Sequence, residues 1–261
     1  MNKPEKPRYV FASSYTDQGF CSFIPQLVAK LGRVYILQGP PGSGKATFIR
    51  LLGEMMSQQG YEVEYWVSPL DTVVPDGVCI PRLDVAVING GVPHLISPPY
   101  PGVEAVIINL DQCRDSGPAQ DQDRLSIDLM ERIEVSQQEM TSLLNRAARN
   151  REAIRIHNGG RVNRNKLEQL AAGLAADVLA GSPQEKHYFA GVLTPGGFVD
   201  YIDEISSPCQ KRYIFKGPAG AGQAVVINEL IGQARRKGYS LDHYRSEERH
   251  VGKECRSRWS P

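Results

Sequence analysis

The sequence predicts an α/β fold in which a parallel sheet is flanked by helices. Three observations lead to this prediction. Short apolar runs typical of buried parallel strands alternate with helical patterns. One such strand leads through a glycine-rich loop directly into a helix, and this strand–loop–helix unit occurs twice. A long stretch with helical periodicity separates the two units.

The two units belong to an internal repeat. A shift of 178 residues aligns Arg8–Trp66 with Lys186–Tyr244 without a gap, and 17 of the 59 aligned pairs are identical. Average residue usage would give roughly one chance match in sixteen. We therefore interpret the chain as a duplicated domain, with copy one at residues 1–120 and an incomplete copy two at residues 184–244.

Copy one is expected to begin with a short strand, followed by a Thr/Gly turn and a short helix. A strand, the glycine-rich loop, a helix and three further strands follow. The bounds are Tyr9–Ala12, Val34–Gln38, Lys45–Gln58 for the helix, Glu62–Val67, Asp84–Asn89 and Ala105–Asn109. The last two strands each contain a run of four apolar residues, which is typical of strands buried in a parallel sheet.

Copy two repeats the first part of this order. Its expected strands are His187–Ala190, Arg212–Lys216 and Ser240–Tyr244, and its helix is Gln223–Arg236. Gly60 and Gly238 follow the two helices at equivalent positions and are typical helix C-terminal caps.

Residues 121–183, between the copies, are expected to form a helical hairpin. Apolar side chains recur near the helical period along Gln122–Ile156, and Asn158-Gly159-Gly160 breaks the pattern. A second helix is expected at Asn165–Ala180, ending at Gly181-Ser182-Pro183. We interpret its apolar stripe as a packing surface.

The glycine-rich loop of copy one is the sharpest motif in the chain. It lies between a predicted strand and a predicted helix, which is the context of a phosphate-binding P-loop, or Walker A motif. Its glycines let backbone N–H groups converge on phosphate oxygens, and the helix N-terminus adds a partial positive charge. A lysine here reaches the β- and γ-phosphates. We predict that ATP (or GTP) binds through Gly39, Pro40, Gly42, Ser43, Gly44, Lys45, Ala46 and Thr47.

The residues expected to ligate Mg²⁺ are degenerate. The position after Lys45 normally carries a Ser or Thr hydroxyl that binds Mg²⁺, but here it is Ala46. Thr47 is rotated by about 100° on the helix and does not replace it. The apolar strand that should end in a magnesium-binding acid ends in Asn89, which we retain as a weak metal candidate acting through water.

In copy two the loop reads Gly217-Pro218-Ala219-Gly220-Ala221-Gly222-Gln223. Gln223 replaces the lysine, so the loop lacks its cation. We expect copy two to bind nucleotide poorly or not at all.

Four further polar residues are weaker candidates. His94 follows Asn89 at the carboxyl end of a strand, where ligands gather in open α/β sheets. Asp71, Asp76 and Asp111 are candidate acids for holding water or metal. Most aspartates in loops are solvated or cap a local turn, so the sequence does not favour any one of them.

Composition excludes several classes of function. A formal net charge of +1 gives no electrostatic case for a nucleic-acid or membrane partner. The sequence contains no apolar stretch of transmembrane length and no secretory signal pattern. The five cysteines form no disulfide or zinc pattern. We therefore expect a cytoplasmic protein whose partner is a nucleotide.

A further set of short motifs lies outside the glycine-rich loop. They are the Phe-Ala…Thr…Gly-Phe segments that begin both copies, Asp76-Gly77-Val78, Ile80-Pro81, Val87-Ile88-Asn89-Gly90 and Pro93-His94. With the loop, they resemble an uncharacterised bacterial family of tandem P-loop, ATPase-like proteins, over about residues 8–244. The resemblance implies a P-loop NTPase fold and ATP binding, with no established substrate. The family pattern has Ser/Thr, Asp and Lys where this chain has Ala46, Asn89 and Gln223.

Residues 245–261 have no counterpart in copy one. They resemble the translation of adapter-derived sequence joined to a shortened reading frame, and we expect the natural parent to be longer.

Three functions fit the sequence. The first is a P-loop ATP-binding protein that is ATPase-like, with weakened Mg²⁺ ligation. The second is a non-catalytic nucleotide sensor, which Ala46 and Asn89 favour. The third is a small-molecule or nucleotide kinase, against which the lack of an obvious lid arginine cluster counts.

Overall fold

The computed structural model describes residues 6–91, 104–113, 120–178 and 185–246. His94, the Gly181-Ser182-Pro183 break and residues 247–261 lie outside the described residues.

Copy one contains eight strands and two helices within the described residues. Their bounds are β1 Arg8–Val10, β2 Ser13–Thr16, β3 Gly19–Ser22, α1 Ile24–Val28, β4 Arg33–Gln38, α2 Lys45–Gln58, β5 Glu64–Val67, β6 Pro75–Ile80, β7 Val85–Asn89 and β8 Glu104–Asn109. Six of the strands form one sheet in the order β1-β5-β6-β7-β4-β8, and β2 and β3 form a separate antiparallel hairpin. The predicted bounds of α2 are confirmed.

The predicted α/β fold with helices flanking the sheet is confirmed, but the sheet is mixed rather than parallel. β4 pairs in parallel with both β7 and β8, but β6 runs antiparallel to β5 and β7. Only residues 68–74 connect β5 to β6. A parallel return needs a crossover of about a dozen residues or more, so this short connection forces an antiparallel pairing. The sequence did not indicate β6 because Pro75, Asp76 and Gly77 are typical of turns.

Between the copies lie two helices, α3 Gln120–Gly159 and α4 Arg164–Val178. Their turn falls at the predicted Asn-Gly-Gly break. The prediction that the apolar stripe is a packing surface is wrong for much of α3, where Leu125, Ile133 and Leu143 are exposed. Among the residues that the structure describes, no helix has both the length and the apolar character needed to cross a bilayer.

Copy two follows with β9 Glu185–Thr194, β10 Gly197–Asp200, α5 Ile202–Ser206, α6 Gln223–Arg236 and β11 Leu241–Ser246. The predicted bounds of α6 are confirmed. The described strands of copy two form a sheet in the order β10-β9-β11, in which β9 is antiparallel to β10 and parallel to β11.

The prediction of a strand at residues 212–216 is wrong. These residues have no regular secondary structure, and Ile214 is 76% exposed. The equivalent strand in copy one, β4, lies between β7 and β8. The described residues of copy two contain no equivalents of those two strands. A segment without neighbours cannot satisfy its backbone hydrogen bonds as a strand.

The core of copy one lies on both faces of its sheet. One face packs against α2 through Leu37, Ile49, Val63, Val78 and Val87, all buried. This packing fixes the start of α2, and with it the glycine-rich loop, at the end of β4.

The copies meet at equivalent positions of the repeat. Phe11 and Phe189, which differ by the repeat shift of 178 residues, form an antiparallel bridge. The N–H of Phe189 donates to the carbonyl of Phe11 at 2.8 Å. Both rings are buried, and Phe189 packs on Phe23 with ring centroids 4.9 Å apart. At this contact the two copies are therefore related by an approximate two-fold axis.

The carboxyl group of Glu64 joins the copies within this interface. Glu64 is 3% exposed and accepts hydrogen bonds from the Tyr188 hydroxyl at 2.9 Å and the Trp66 indole N–H at 2.9 Å. Arg8 lies 3.4 Å from its Oε2 and also pairs with Asp242 of copy two at 2.6 Å. A buried carboxyl group requires such partners, since an unpaired one would cost several kcal/mol.

Loss of the Tyr188 hydroxyl should weaken the joint between the copies. Tyr188→Phe removes one donor to the buried Glu64 while keeping the ring, so we expect the free energy of unfolding to fall by about 1–3 kcal/mol. Urea denaturation measures this change. Tyr61→Phe, in the turn after α2, is the matched control and should change it by less than about 0.5 kcal/mol. Equal effects of the two substitutions would contradict the role assigned to Glu64.

A second polar cluster lies near the start of β9 and β11, where its residues alternate along the strands with Tyr188 and Asp242. The rings of His187 and His243 are 5.5 Å apart, and His187 contacts Glu185 at 3.3 Å. These three residues could hold a metal ion by their types and spacing. However, Arg235 from α6 hydrogen-bonds to both carboxylate oxygens of Glu185. We therefore interpret the cluster as an ion-pair network, with Arg245 on β11 beside His187 at 3.4 Å.

Acid should destabilise the fold through His243. Burial, together with Arg245 and His187, lowers the pKa of His243 to about 4, against about 6.5 in an unfolded chain. The unfolded chain therefore binds a proton first, and stability falls as the pH drops from about 6.5 towards 4. His243→Tyr, which copies Tyr65 of copy one, should recover roughly 1–2 kcal/mol at pH 4.5. Denaturant unfolding at pH 7.5 and 4.5 tests this, with the exposed His157→Tyr as control.

Candidate functional site

The glycine-rich loop of copy one lies at the carboxyl end of β4, where the chain switches from β7 on one side to β8 on the other. Such switch points are where open α/β sheets bind ligands. Gly39, Gly42 and Gly44 have φ values of +145°, +81° and +87°. Among the described residues, a Cβ on Gly42 or Gly44 would meet nothing within 4 Å. The loop is therefore curled and open on its outer side.

Lys45 folds back into this loop. Its Nζ donates to the carbonyls of Gly39 and Pro40, both at 2.7 Å, and to the Ser43 hydroxyl at 3.2 Å. Lys45 is 7% exposed, and burial lowers the pKa of its ammonium group. The loop thus holds a cation at its centre by neutral carbonyl oxygens, without a carboxylate partner among these contacts.

Ala46 and Thr47 follow at the start of α2. Ala46 has no oxygen with which to ligate a metal, and Thr47 is exposed on the next position of the helix. Both residues place their backbone N–H groups in the first turn of α2, where the helix has no internal acceptors for them. The predicted loop residues are therefore brought together as expected, without the usual magnesium hydroxyl.

Asn89 lies beside the loop lysine. Its Oδ1 accepts from the N–H of Gly91 at 3.0 Å. A Cβ on Gly91 would lie 3.0 Å from Lys45 Cε and 3.1 Å from Asn89 Oδ1, so both side chains flank this glycine. The structure therefore brings the metal candidate of the sequence next to the phosphate loop, but its oxygen is already an acceptor.

Asp76, one of the three candidate acids of the sequence, differs from the other two in being buried. It lies on β6, is 7% exposed, and hydrogen-bonds with Ser68 and with the side chain of Asn89. Its Oδ2 is buried and has no hydrogen-bond partner among the described residues. Burial raises the pKa of Asp76 to about 7. Its place beside Asn89 depends on the antiparallel β6, so nothing in the sequence separates it from the other aspartates.

The other two aspartates are ordinary by comparison. Asp71 is exposed and accepts from the N–H of Val73 at 3.0 Å, as a turn-capping residue does. Asp111 is exposed after β8, where its backbone N–H donates to Asn109 at 2.9 Å, and its backbone nitrogen would lie 3.5 Å from a Cβ on Gly39 of the loop.

The loop of copy two has a backbone conformation like that of copy one, but a neutral side chain takes the place of the lysine. Gly220 and Gly222 have φ values of +86° and +101°. Gln223 Nε2 donates to the carbonyls of Gly217 at 2.8 Å and Pro218 at 3.4 Å. These carbonyls are the equivalents of the two that bind Lys45, so an amide fills the place of the ammonium group.

The helical hairpin covers the loop of copy two. Asn158 at the end of α3 donates to the carbonyl of Ala219 at 2.6 Å. A Cβ on Gly220 would lie 2.6 Å from the carbonyl oxygen of Arg155, and Gly222 lies against Leu167 of α4. The space that a phosphate would need is thus filled by protein.

A separate cavity of about 440 Å³ lies at the other end of α2, lined by residues such as Tyr9, Arg50, Glu54, Tyr65 and Val73. Its lining includes no residue of the glycine-rich loop, so the cavity and the loop are distinct features.

Comparison with known proteins found no matching family model, curated protein or solved structure.

A matched pair of glycine substitutions tests whether α3 packs on the loop of copy two. Gly42→Ala and Gly220→Ala place a Cβ at nearly the same positive φ, which costs about 1–2 kcal/mol in either case. Gly220→Ala also pushes on the backbone of α3, so it should destabilise the chain by about 1–3 kcal/mol more. Thermal unfolding of both variants measures the difference. Equal losses would mean that α3 does not pack on this loop.

Proposed function

We propose that the chain binds the phosphates of ATP (or GTP) at the loop of copy one. The observation that supports this most is the buried ammonium group of Lys45, held by loop carbonyls in a loop that is open at Gly42 and Gly44. A phosphate is a stronger partner for an ammonium group than a neutral carbonyl. Binding would draw Lys45 outward onto the β- and γ-phosphates. The N–H groups of the first turn of α2 would then hold the remaining oxygens.

Copy one is proposed as the single nucleotide site among the described residues. Copy two has an amide at Gln223 and a hairpin over its loop, so it contributes structure rather than binding. The resemblance to tandem P-loop, ATPase-like proteins points to the same ligand.

Two versions of this function differ in hydrolysis. In an ATPase, Mg²⁺ neutralises charge on the phosphates, and an acid orients water. Ala46 has no hydroxyl to ligate Mg²⁺, and Asn89 is a neutral amide where an acid is expected. These two observations favour the alternative, a nucleotide sensor without turnover. Phosphate release in the presence of Mg²⁺ separates the two versions, because a sensor binds ATP without releasing phosphate.

Exchange of the loop side chains between the copies tests the binding proposal. Lys45→Gln gives copy one the side chain that already bonds to the equivalent carbonyls in copy two, so the loop should stay curled without its cation. We expect ATP affinity to fall at least about tenfold, and further in Lys45→Ala. Isothermal titration calorimetry measures both.

The reciprocal variant is the control for this exchange. Gln223→Lys restores the cation of copy two but leaves the hairpin over its loop, so the stoichiometry should remain one ATP per chain. Unchanged affinity in Lys45→Gln and Lys45→Ala would refute nucleotide binding at this loop. Two ATP per chain in Gln223→Lys would refute the cover on copy two.

A further inference from the structure

The inserted strand β6 brings a carboxyl group to the place where the phosphate site lacks one. β6 lies between β5 and β7, and Gly77 pairs with Ile88. Asp76 is therefore next to Asn89 across the two strands, and their side chains hydrogen-bond. The acid is absent at the end of β7 but present one strand away.

Hydrogen bonding fixes how these two side chains face each other. Asn89 Oδ1 accepts from the N–H of Gly91 at 3.0 Å, so the amide NH₂ of Asn89 is the group that donates to the Asp76 carboxylate. Ser68 is its other bonding partner. The Oδ2 of Asp76 has no hydrogen-bond partner among the described residues. Buried carboxylates are normally paired, hydrogen-bonded or bound to a metal, and the described residues provide no such partner for this oxygen.

A short series of contacts connects Asp76 to the loop. Asp76 contacts Asn89, Asn89 contacts Gly91, and Gly91 lies against the side chain of Lys45. The neighbouring aspartates differ from Asp76 in burial: Asp71 is exposed and caps its own turn, and Asp111, whose backbone N–H lies near Gly39 of the loop, is exposed beyond β8.

We propose that Asp76 is the acidic positioning residue of the phosphate site, holding a Mg²⁺-bound water from β6 in place of the acid that β7 lacks. This proposal rests on nucleotide binding at copy one. It assigns to Asn89 a bridging role, in which its amide orients the carboxylate and its oxygen orients Gly91. Magnesium would be held mainly by the nucleotide phosphates and by water, since Ala46 offers no ligand.

The Mg²⁺ dependence of ATP affinity tests this assignment. Calorimetry with ATP, with and without Mg²⁺, should show about tenfold tighter binding with Mg²⁺ in the wild type. In Asp76→Asn the ratio of ATP affinities with and without Mg²⁺ should fall below about twofold. Asp71→Asn is the matched control on the same side of the sheet and should behave as the wild type.

Stability separates this effect from misfolding. Asp76→Asn removes a buried carboxyl group with an unpartnered oxygen, so its melting temperature at pH 8 should equal or exceed that of the wild type. A clearly lower melting temperature would mean that Asp76 is needed for the fold, and would overturn the assignment.

A swap of the two side chains tests position. Asp76→Asn combined with Asn89→Asp moves the carboxylate onto β7 and should restore most of the Mg²⁺ enhancement. Equal enhancement in Asp76→Asn and the wild type, or equal loss in Asp71→Asn, would overturn the assignment while leaving ATP binding intact. Failure to restore enhancement in the swap would also count against it. Absence of ATP binding by the wild type would instead overturn the proposed function, and this assignment with it.

Discussion

The buried carboxyl group of Glu64 determines how the two copies are arranged. Glu64 lies on β5 inside the sheet of copy one, yet one of its donors, Tyr188, belongs to copy two. Because a buried carboxyl group must keep its donors, β9 is held against β1 and β5. The placement of β9 in turn places α6 and the loop before it under the hairpin of α3 and α4. A single buried acceptor thus connects the core of copy one with the covered loop of copy two.

The two glycine-rich loops share a backbone conformation but differ in their side chains and surroundings. Both curl through glycines with positive φ, and both direct a side chain at the same pair of carbonyls. Lys45 carries a positive charge that is paired only with neutral oxygens among its hydrogen bonds, and the loop of copy one is open on its outer side. Gln223 brings a neutral amide, and Asn158 occupies the outer side. The two loops therefore differ in one side chain and in the neighbouring turn that covers only the loop of copy two.

The sequence correctly predicted the two helices that follow the glycine-rich loops, because nearby residues decide where these helices begin and end. The bounds of α2 and α6 follow from the glycines before them and the apolar spacing within them, and the structure has the same residues. β6 was not predicted, and residues 212–216 were wrongly predicted as a strand, because strand formation depends on which neighbouring strands are available. The loop and Asn89 were found as candidates by pattern alone. Asp76 could not be distinguished, since its environment is created by a strand pairing that the sequence does not display.

The contact between Phe11 and Phe189 has a consequence for how the chain could diverge. Identical positions meet across the axis of a symmetric dimer, and there every substitution occurs twice. In a single chain each position can change alone, and the tether gives the interface an effective concentration of about millimolar, so that weaker contacts suffice. Covalent linkage therefore permits what symmetry forbids, namely a lysine at position 45 and a glutamine at position 223 in the same molecule.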